Sequence, residues 1–251
     1  METRLYGLET LKEQDSVWFA SCDSKYFLEH AVPWAESITR FEQEAHCHVI
    51  NPSIEAMGLI AHLNEHMPRL TVTFEQTVFP ENDNVKRVYY SCNRFLVANQ
   101  LLKKARKVAI TDIDCLLMQK ADIPENTIGL FFRDPLPNCN AWETYGTHVA
   151  AGIVSAVGPA GKTYLQLVHN KINEIVISNG WLWFVDQVAL FSVFENEKWD
   201  DAYAYDKNWL DWEFNEGTII WTGKGDRKYK DKKYLSAKED VATHYYTKAK
   251  T

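Results

Sequence analysis

No run of apolar residues in this chain approaches the length of a membrane-spanning helix, and the opening Met1-Glu2-Thr3-Arg4-Leu5-Tyr6 has no apolar signal core. Any membrane contact is therefore expected to be peripheral. The five cysteines, Cys22, Cys47, Cys92, Cys115 and Cys139, are scattered and form no Cys-x-x-Cys. An odd, dispersed set argues against a disulfide framework and reads as reduced thiols, so a cytoplasmic location is expected. Positive charge is in deficit: 27 Lys and Arg stand against 34 Asp and Glu, a net charge of −7, which argues against a general nucleic-acid binder. An anionic ligand would need a local gathering of cations. Internal repeats, low-complexity segments and Gly/Ser linkers are absent too. With 251 residues, 46% of them hydrophobic and 13% aromatic, one α/β domain with a substantial core is the simplest organisation.

What is present centres on Val108-Ala109-Ile110-Thr111-Asp112-Ile113-Asp114-Cys115-Leu116-Leu117. A short β-prone run ends in two carboxylates, and apolar residues resume at once. Side chains two apart on an extended backbone point to the same side. At a strand end, Asp112 and Asp114 can hold one hard divalent cation through oxygen, Mn²⁺ or Mg²⁺, the rest of whose shell comes from water and a substrate diphosphate. Such pairs are common in solvated turns, but the apolar flanks argue against one here, because burying two carboxylates without a partner is costly.

Strand and helix patterns alternate around this pair. Val17 to Cys22, Cys47 to Ile50, Leu70 to Phe74 and Val108 to Ile113 read as strands. Tyr26 to Phe41 (with Pro33 as a kink or late start), Ser53 to about Met67 and Tyr89 to Lys104 read as helices. That order predicts a central, mostly parallel sheet flanked by helices, with ligands at the carboxyl ends of the strands. Further on, Ile128 to Phe132, Val149 to Ala156, Tyr203 to Tyr205 and Thr218 to Trp221 read as strands, and Lys162 to Ile177 and Phe184 to Phe194 as helices. The aromatics dense from Trp181 to Trp221 suit either core packing or a sugar-binding cleft.

Tyr89-Tyr90-Ser91-Cys92-Asn93-Arg94-Phe95 followed by Lys107 to Leu117 resembles the "Tyr…Arg, helix, strand, Asp-x-Asp" block of GT-A glycosyltransferases. The likeness is greatest to family eight, which includes glycogenins and bacterial lipopolysaccharide galactosyltransferases. Ala150-Ala151-Gly152-Ile153-Val154 is similar to that family's "Asn-Ala-Gly" strand. Trp183-Phe184-Val185-Asp186-Gln187-Val188-Ala189-Leu190 is similar to its "Trp…Asp-Gln…Leu" element, and Ile219 to Gly225 resembles its terminal "His-x-x-Gly…Lys" loop. The blocks run in the family's order from about residue 17 to about residue 228.

The resemblance implies a single GT-A-like α/β domain over residues 1–251. About 15–118 would form a nucleotide-binding half, about 119–230 an acceptor half and 231–251 a C-terminal tail. It implies metal-dependent transfer of a hexose from a nucleotide diphosphate sugar, UDP-linked, to a hydroxyl of a glycan, lipid-linked or protein acceptor, with anomeric configuration retained. Ser21, Asp23 and Tyr26 would contact base and ribose, although Asp23 also suits a helix cap. Arg94 and Gly152 would bind the donor, and Asp186 and Gln187 would face the reacting carbon; Asp186 as an N-cap is the competing reading. Gly223, with Lys224 and Lys228, would approach and neutralise the diphosphate, whereas Lys230, Lys232 and Lys233 read as a solvated basic tail. One departure is Trp221, at the place where the family supplies a histidine ligand; His148 and His244 are substitutes without a motif.

Three other readings compete. A sugar-phosphate nucleotidyltransferase would carry a glycine-rich first loop, which Ala20-Ser21-Cys22-Asp23 lacks. His62-Leu63-Asn64-Glu65-His66 matches an inverted zinc-peptidase motif, with His62, Glu65 and His66 as its working residues, but a solvated helix face explains it as well. A sugar-binding protein without catalysis is the third. His46 and His48 share one face of a short strand and are expected at the surface or partly packed.

Overall fold

The structure, a computed structural model, describes residues 3–7, 12–134, 148–199 and 201–248; Cys139 lies outside them. Strand β1 (Thr3–Tyr6) precedes an alternating series: β2 (Gln14–Asp23), α1 (Ser24–Thr39), β3 (Ala45–Ile50), α2 (Ile54–His66), β4 (Leu70–Thr77), α3 (Asp83–Leu101) and β5 (Ala105–Thr111). The chain continues through β6 (Cys115–Leu117), β7 (Ile128–Phe132), β8 (Val149–Val157), α4 (Gly158–Asn179), α5 (Val185–Glu197) and β9 (Ala202–Tyr205). It closes with β10 (Leu210–Asp211), β11 (Ile220–Thr222), α6 (Arg227–Lys230) and α7 (Lys232–Lys248).

Eight strands form one sheet in the order β1-β4-β3-β2-β5-β8-β7-β9. The pairs β4-β3, β3-β2, β2-β5 and β7-β9 are parallel, and β8 runs antiparallel to both its neighbours. The carboxyl ends of β2, β3, β4, β5 and β7 therefore share one edge. β10, β11 and β6 form a second, three-stranded sheet. Both faces of the large sheet are covered, as expected for parallel strands. Val17, Phe19, Val108 and Ile110 pack under α3, α4 and α5, while Trp18, Ala20, Cys22 and Ala109 pack under α1 and α2.

Several boundaries differ from the pattern for identifiable reasons. Helix α3 begins at Asp83, six residues before Tyr89, because Asn82 Oδ1 accepts from the amides of Asn84 (2.9 Å) and Val85 (3.3 Å). Pro33 lies well inside α1 and does not start it. The segment 231–251, read as a C-terminal tail, contains the 17-residue α7, whose Tyr234, Val241 and Tyr245 are buried, while Lys230, Lys232 and Lys233 are solvated as expected. His46 and His48 are not near the surface but fully buried, as is Glu75. The imidazoles bond Thr71 and Thr73 at 2.7–2.9 Å, His48 reaches Glu75 at 3.2 Å, and Asn93 of α3 donates to the same carboxylate at 3.0 Å. Burial, then the neighbouring His48, pushes His46 down to about 3, so its ring is neutral.

Candidate active site

The shared carboxyl edge opens into a cleft of about 750 Å³, within the size range of small-molecule sites. Ser21 and Asp23 reach it from the end of β2, Asp112 and Asp114 from the link between β5 and β6, and Arg133 from the end of β7. The strand expected to run through Ile113 stops at Thr111, and a turn, in which the Cys115 amide donates to the Asp112 carbonyl at 3.2 Å, buries Ile113 and presents both carboxylates to the cleft. Arg87, Ser91 and Arg94 stand four and three residues apart on α3, which is one helical face, and all three line the same space.

Arg94 organises the centre. Its Nη1 donates to Asp112 Oδ1 at 2.5 Å and its Nη2 to Asp186 Oδ2 at 3.0 Å, so one guanidinium fork ties the Asp-x-Asp to the start of α5. Arg94 and Asp186 are buried. Burial alone would weaken the Arg94 charge, but Asp112 and Asp186 raise its pKa above the usual guanidinium value. Burial raises Asp186, and Arg94 only partly offsets this. Asp186 is not an N-cap: Phe184 holds that place, with φ +71 and no side-chain cap bond, and Asp186 sits in the first turn.

The C-terminal segment supplies the other half. Lys228 of α6 reaches Asp114 Oδ2 at 2.6 Å and lies 4.6 Å over the Tyr26 ring. Tyr234 of α7 donates to the Asp114 carbonyl at 2.6 Å, and the Gly223 amide donates to it at 3.2 Å. A Cβ at Gly223 would sit 2.5 Å from Lys228 Cβ and 3.2 Å from Tyr234 Cζ, so only glycine lets α6 lie this close. Gly223→Ala is expected to cost about 1–3 kcal/mol through overpacking and to push Lys228 off Asp114. Thermal unfolding together with nucleotide titration checks this, and an unchanged protein in both assays argues against the fit.

All twelve site residues read from the sequence (Ser21, Asp23, Tyr26, Arg94, Asp112, Asp114, Gly152, Asp186, Gln187, Gly223, Lys224 and Lys228) lie at this edge. All but Gly223 line the cleft directly, and Gly223 lies under Lys228. Asp23 caps α1, accepting from the Tyr26 amide at 2.8 Å, and lines the cleft as well. Ser21 Oγ is buried in the same wall without a partner among the described residues. Gln187 accepts from Arg133 Nη2. Arg87 and Arg133 also line the cleft and were missed; Trp183 and Trp212, from the aromatic-dense stretch expected to serve core or sugar cleft, line it too. Arg133 could have been found as the polar residue ending the apolar run Ile128–Phe132.

The donor set fits a divalent cation held by two carboxylates. Burial, then the charge of Asp112, pushes Asp114 up to about 6, and Lys228 works the other way; two crowded carboxylates favour a bound cation. Trp221 gives no ligand, since its indole donates to the Asn215 carbonyl (2.9 Å) and Thr218 Oγ1 (2.8 Å), with the ring against Phe214. His148 stacks on Phe191, and His244 bonds Glu36. Among the described residues no group of three or more His, Cys, Asp or Glu is placed to hold a metal. The His62 and His66 rings stack on each other at 4.3 Å on the exposed face of α2, with His66 Nδ1 on the His62 carbonyl.

This sheet order, with the carboxylate pair at the end of its fifth strand and a cleft across the shared edge, is the GT-A glycosyltransferase fold, resembling family eight. The galactosyltransferase LgtC, solved in complex with donor and acceptor sugar analogs, is similar at a TM-score of 0.58 and 14% identity over 91% of this chain and 95% of that one. An active-site variant of LgtC with glutamate in place of a glutamine is similar at a TM-score of 0.58 and 13% identity over the same shares. The apo glycosyltransferase GlyE of Streptococcus pneumoniae TIGR4 is similar at a TM-score of 0.56 and 12% identity, over 95% of this chain and 64% of that one. No protein-family model matches the sequence, and no curated protein does.

Proposed function

We propose that this chain is a hexosyltransferase that moves a hexose from a UDP-linked donor to an acceptor hydroxyl with retention of anomeric configuration. The carrying observation is the Arg94 fork, which joins the carboxylate pair to buried Asp186 in one cleft while Lys228 holds Asp114 from the other side. LgtC was solved with donor and acceptor sugar analogs, which supports a sugar-transfer role for this cleft. In the reaction the acceptor hydroxyl oxygen bonds the anomeric carbon. The bond from that carbon to the diphosphate oxygen breaks, the diphosphate leaves with both electrons, and the hydroxyl proton passes to a phosphate oxygen.

Asp23, Ser21 and Tyr26 bind base and ribose, the partnerless Ser21 hydroxyl being available to the nucleotide. Lys228 and Arg94 steady the diphosphate and the carboxylates around it, and Gly152 leaves room beside Asp112. Asp112 and Asp114 would hold Mn²⁺ or Mg²⁺, which would neutralise charge on the leaving group. Asp186, with Gln187 beside it, faces positive charge developing on the sugar. Residues 15–118 serve the nucleotide and 119–230 the acceptor. The four described cysteines are free and buried, which suits a reducing, cytoplasmic setting. Among the described residues no helix is long and apolar enough to cross a membrane.

Release of UDP from UDP-hexoses with manganese present tests the reading. The right donor is expected to stabilise the fold by roughly 2–4 kcal/mol at saturation. Neither binding nor release for any nucleotide sugar would overturn it, and binding without release would leave a sugar-nucleotide receptor. Asp114→Asn keeps the shape but removes the charge, so manganese-dependent UDP affinity is expected to fall at least about tenfold with the fold intact. Calorimetric titration with and without manganese decides this, and wild-type affinity in the variant would remove Asp114 from the metal site.

A further inference from the structure

We propose that the acceptor carries an anionic oxyacid group, phosphate or carboxylate, seated by Lys224, Arg133 and Arg227 at the Trp212 end of the cleft. The inference rests on the transferase reading and adds the chemical class of the acceptor.

Sheet order gives the cleft a direction. Asp23 ends β2, Asp112 follows β5, and Arg133 follows β7, three strands along from β2. Three strand spacings separate the base end from Arg133 by about 14 Å, with the carboxylate pair between them. Arg133 touches Gln187, next to Asp186. The Arg133 end therefore lies beyond the reacting carbon, where an acceptor must enter.

Charge is distributed unevenly along that line. Near the carboxylate pair the cations are matched: Arg94 with Asp112 and Asp186, Lys228 with Asp114. At the far end Lys224 and Arg227 take no carboxylate among the described residues. Lys224 is exposed, its Nζ lies 4.6 Å over the Trp212 ring, and it has no carboxylate partner among the described residues. Arg227 Nη1 donates to the Trp212 carbonyl at 2.5 Å, so two cations flank one tryptophan. Asp226, an acid of the cleft wall two residues from Lys224 in sequence, is paired with Lys230 at 2.7 Å. Burial, then Arg133 and Arg227, lower the pKa of Lys224, the signature of cations gathered together. In a chain of net charge −7, such a cluster beside a reaction centre is a local field of the sign that draws anions. This placement moves Lys224 from the diphosphate role expected of it to the acceptor, and leaves the diphosphate to Lys228.

The test uses whichever UDP-hexose releases UDP, with three matched acceptors: a neutral methyl hexoside, a hexose 6-phosphate and a hexuronic acid. The expected result is kcat/KM at least about tenfold higher for an anionic acceptor, equivalent to about 1.4 kcal/mol. The better of the two anions identifies phosphate or carboxylate as the source. In Lys224→Ala and Arg227→Ala, both exposed sites, the preference is expected to shrink toward unity through acceptor KM, and in the wild type it should weaken with added salt. Equal or better use of the neutral acceptor overturns the proposal. So does a Lys224→Ala protein that loses UDP affinity and slows with every acceptor alike, because Lys224 would then serve the donor. Failure of the transferase reading itself reads differently, as absence of UDP binding and release before any acceptor is compared.

Discussion

Asp186→Asn protein is expected to melt near the wild-type temperature, to bind UDP almost normally and to turn over roughly a hundredfold or more slowly. The melting behaviour follows from burial. The Asp186 side chain is only 5% exposed, and its pKa is raised by desolvation more than Arg94 lowers it. A carboxyl whose folded pKa is raised contributes stability that is fully present below its unfolded pKa and lost as pH rises through the folded one. At neutral pH its ionised form therefore works against the fold, and a neutral isostere costs little. The kinetic loss follows from what the charge does: it faces positive charge that develops only in the transition state, so its removal lowers kcat while leaving ground-state binding nearly alone. Wild-type turnover in a well-folded variant would return Asp186 to a structural role as a counterion of Arg94.

The second large effect is on stability. Removing the guanidinium in Arg94→Ala leaves Asp186 buried without a partner and Asp112 beside Asp114 without its ion pair. Breaking a buried pair from one side typically costs about 3–5 kcal/mol, or roughly 6–20 °C in melting temperature for a chain of this size. Asp186 can escape part of that cost by taking up a proton. With Arg94 gone its folded pKa rises further, so the variant's deficit should be smaller at pH 5 than at pH 8. The double variant Arg94→Ala, Asp186→Asn should be less destabilised than the sum of the singles, because the orphaned charge is gone. Denaturant unfolding at the two pH values measures both. Simple additivity with no pH dependence would mean that the fork seen at 2.5 and 3.0 Å contributes little.

The strand–helix alternation from Val17 to Thr111 was legible because apolar period and helix caps are local properties. Ser53 caps α2 and Asp23 caps α1 as their types suggest. The placing of Asp112 and Asp114 at a strand end was legible in the same way, but the strand stops at Thr111 and a turn through buried Ile113, not strand alternation, brings both to the cleft. What no local pattern carried was pairing between distant segments. Lys228 and Tyr234 stand 114 and 120 residues from Asp114, yet one bonds its carboxylate and the other its carbonyl. The run after residue 230 reads as a C-terminal tail, because a helix whose apolar face is only Tyr234, Val241 and Tyr245 shows its purpose only when it packs.

His46 and His48 misled in the opposite sense. Their residue type suggests a surface, but Thr71, Thr73, Glu75 and Asn93, brought in by β4 and α3, satisfy their ring nitrogens and make burial tolerable. Sequence by itself determined the elements and the chemical types at the shared edge, because backbone period and strand-end position are short-range. Which charge meets which was decided only by tertiary structure. Arg94 between Asp112 and Asp186, Lys228 on Asp114, and Lys224 left among cations all depend on ion pairing within a few ångströms, across segments that only the packed sheet brings together.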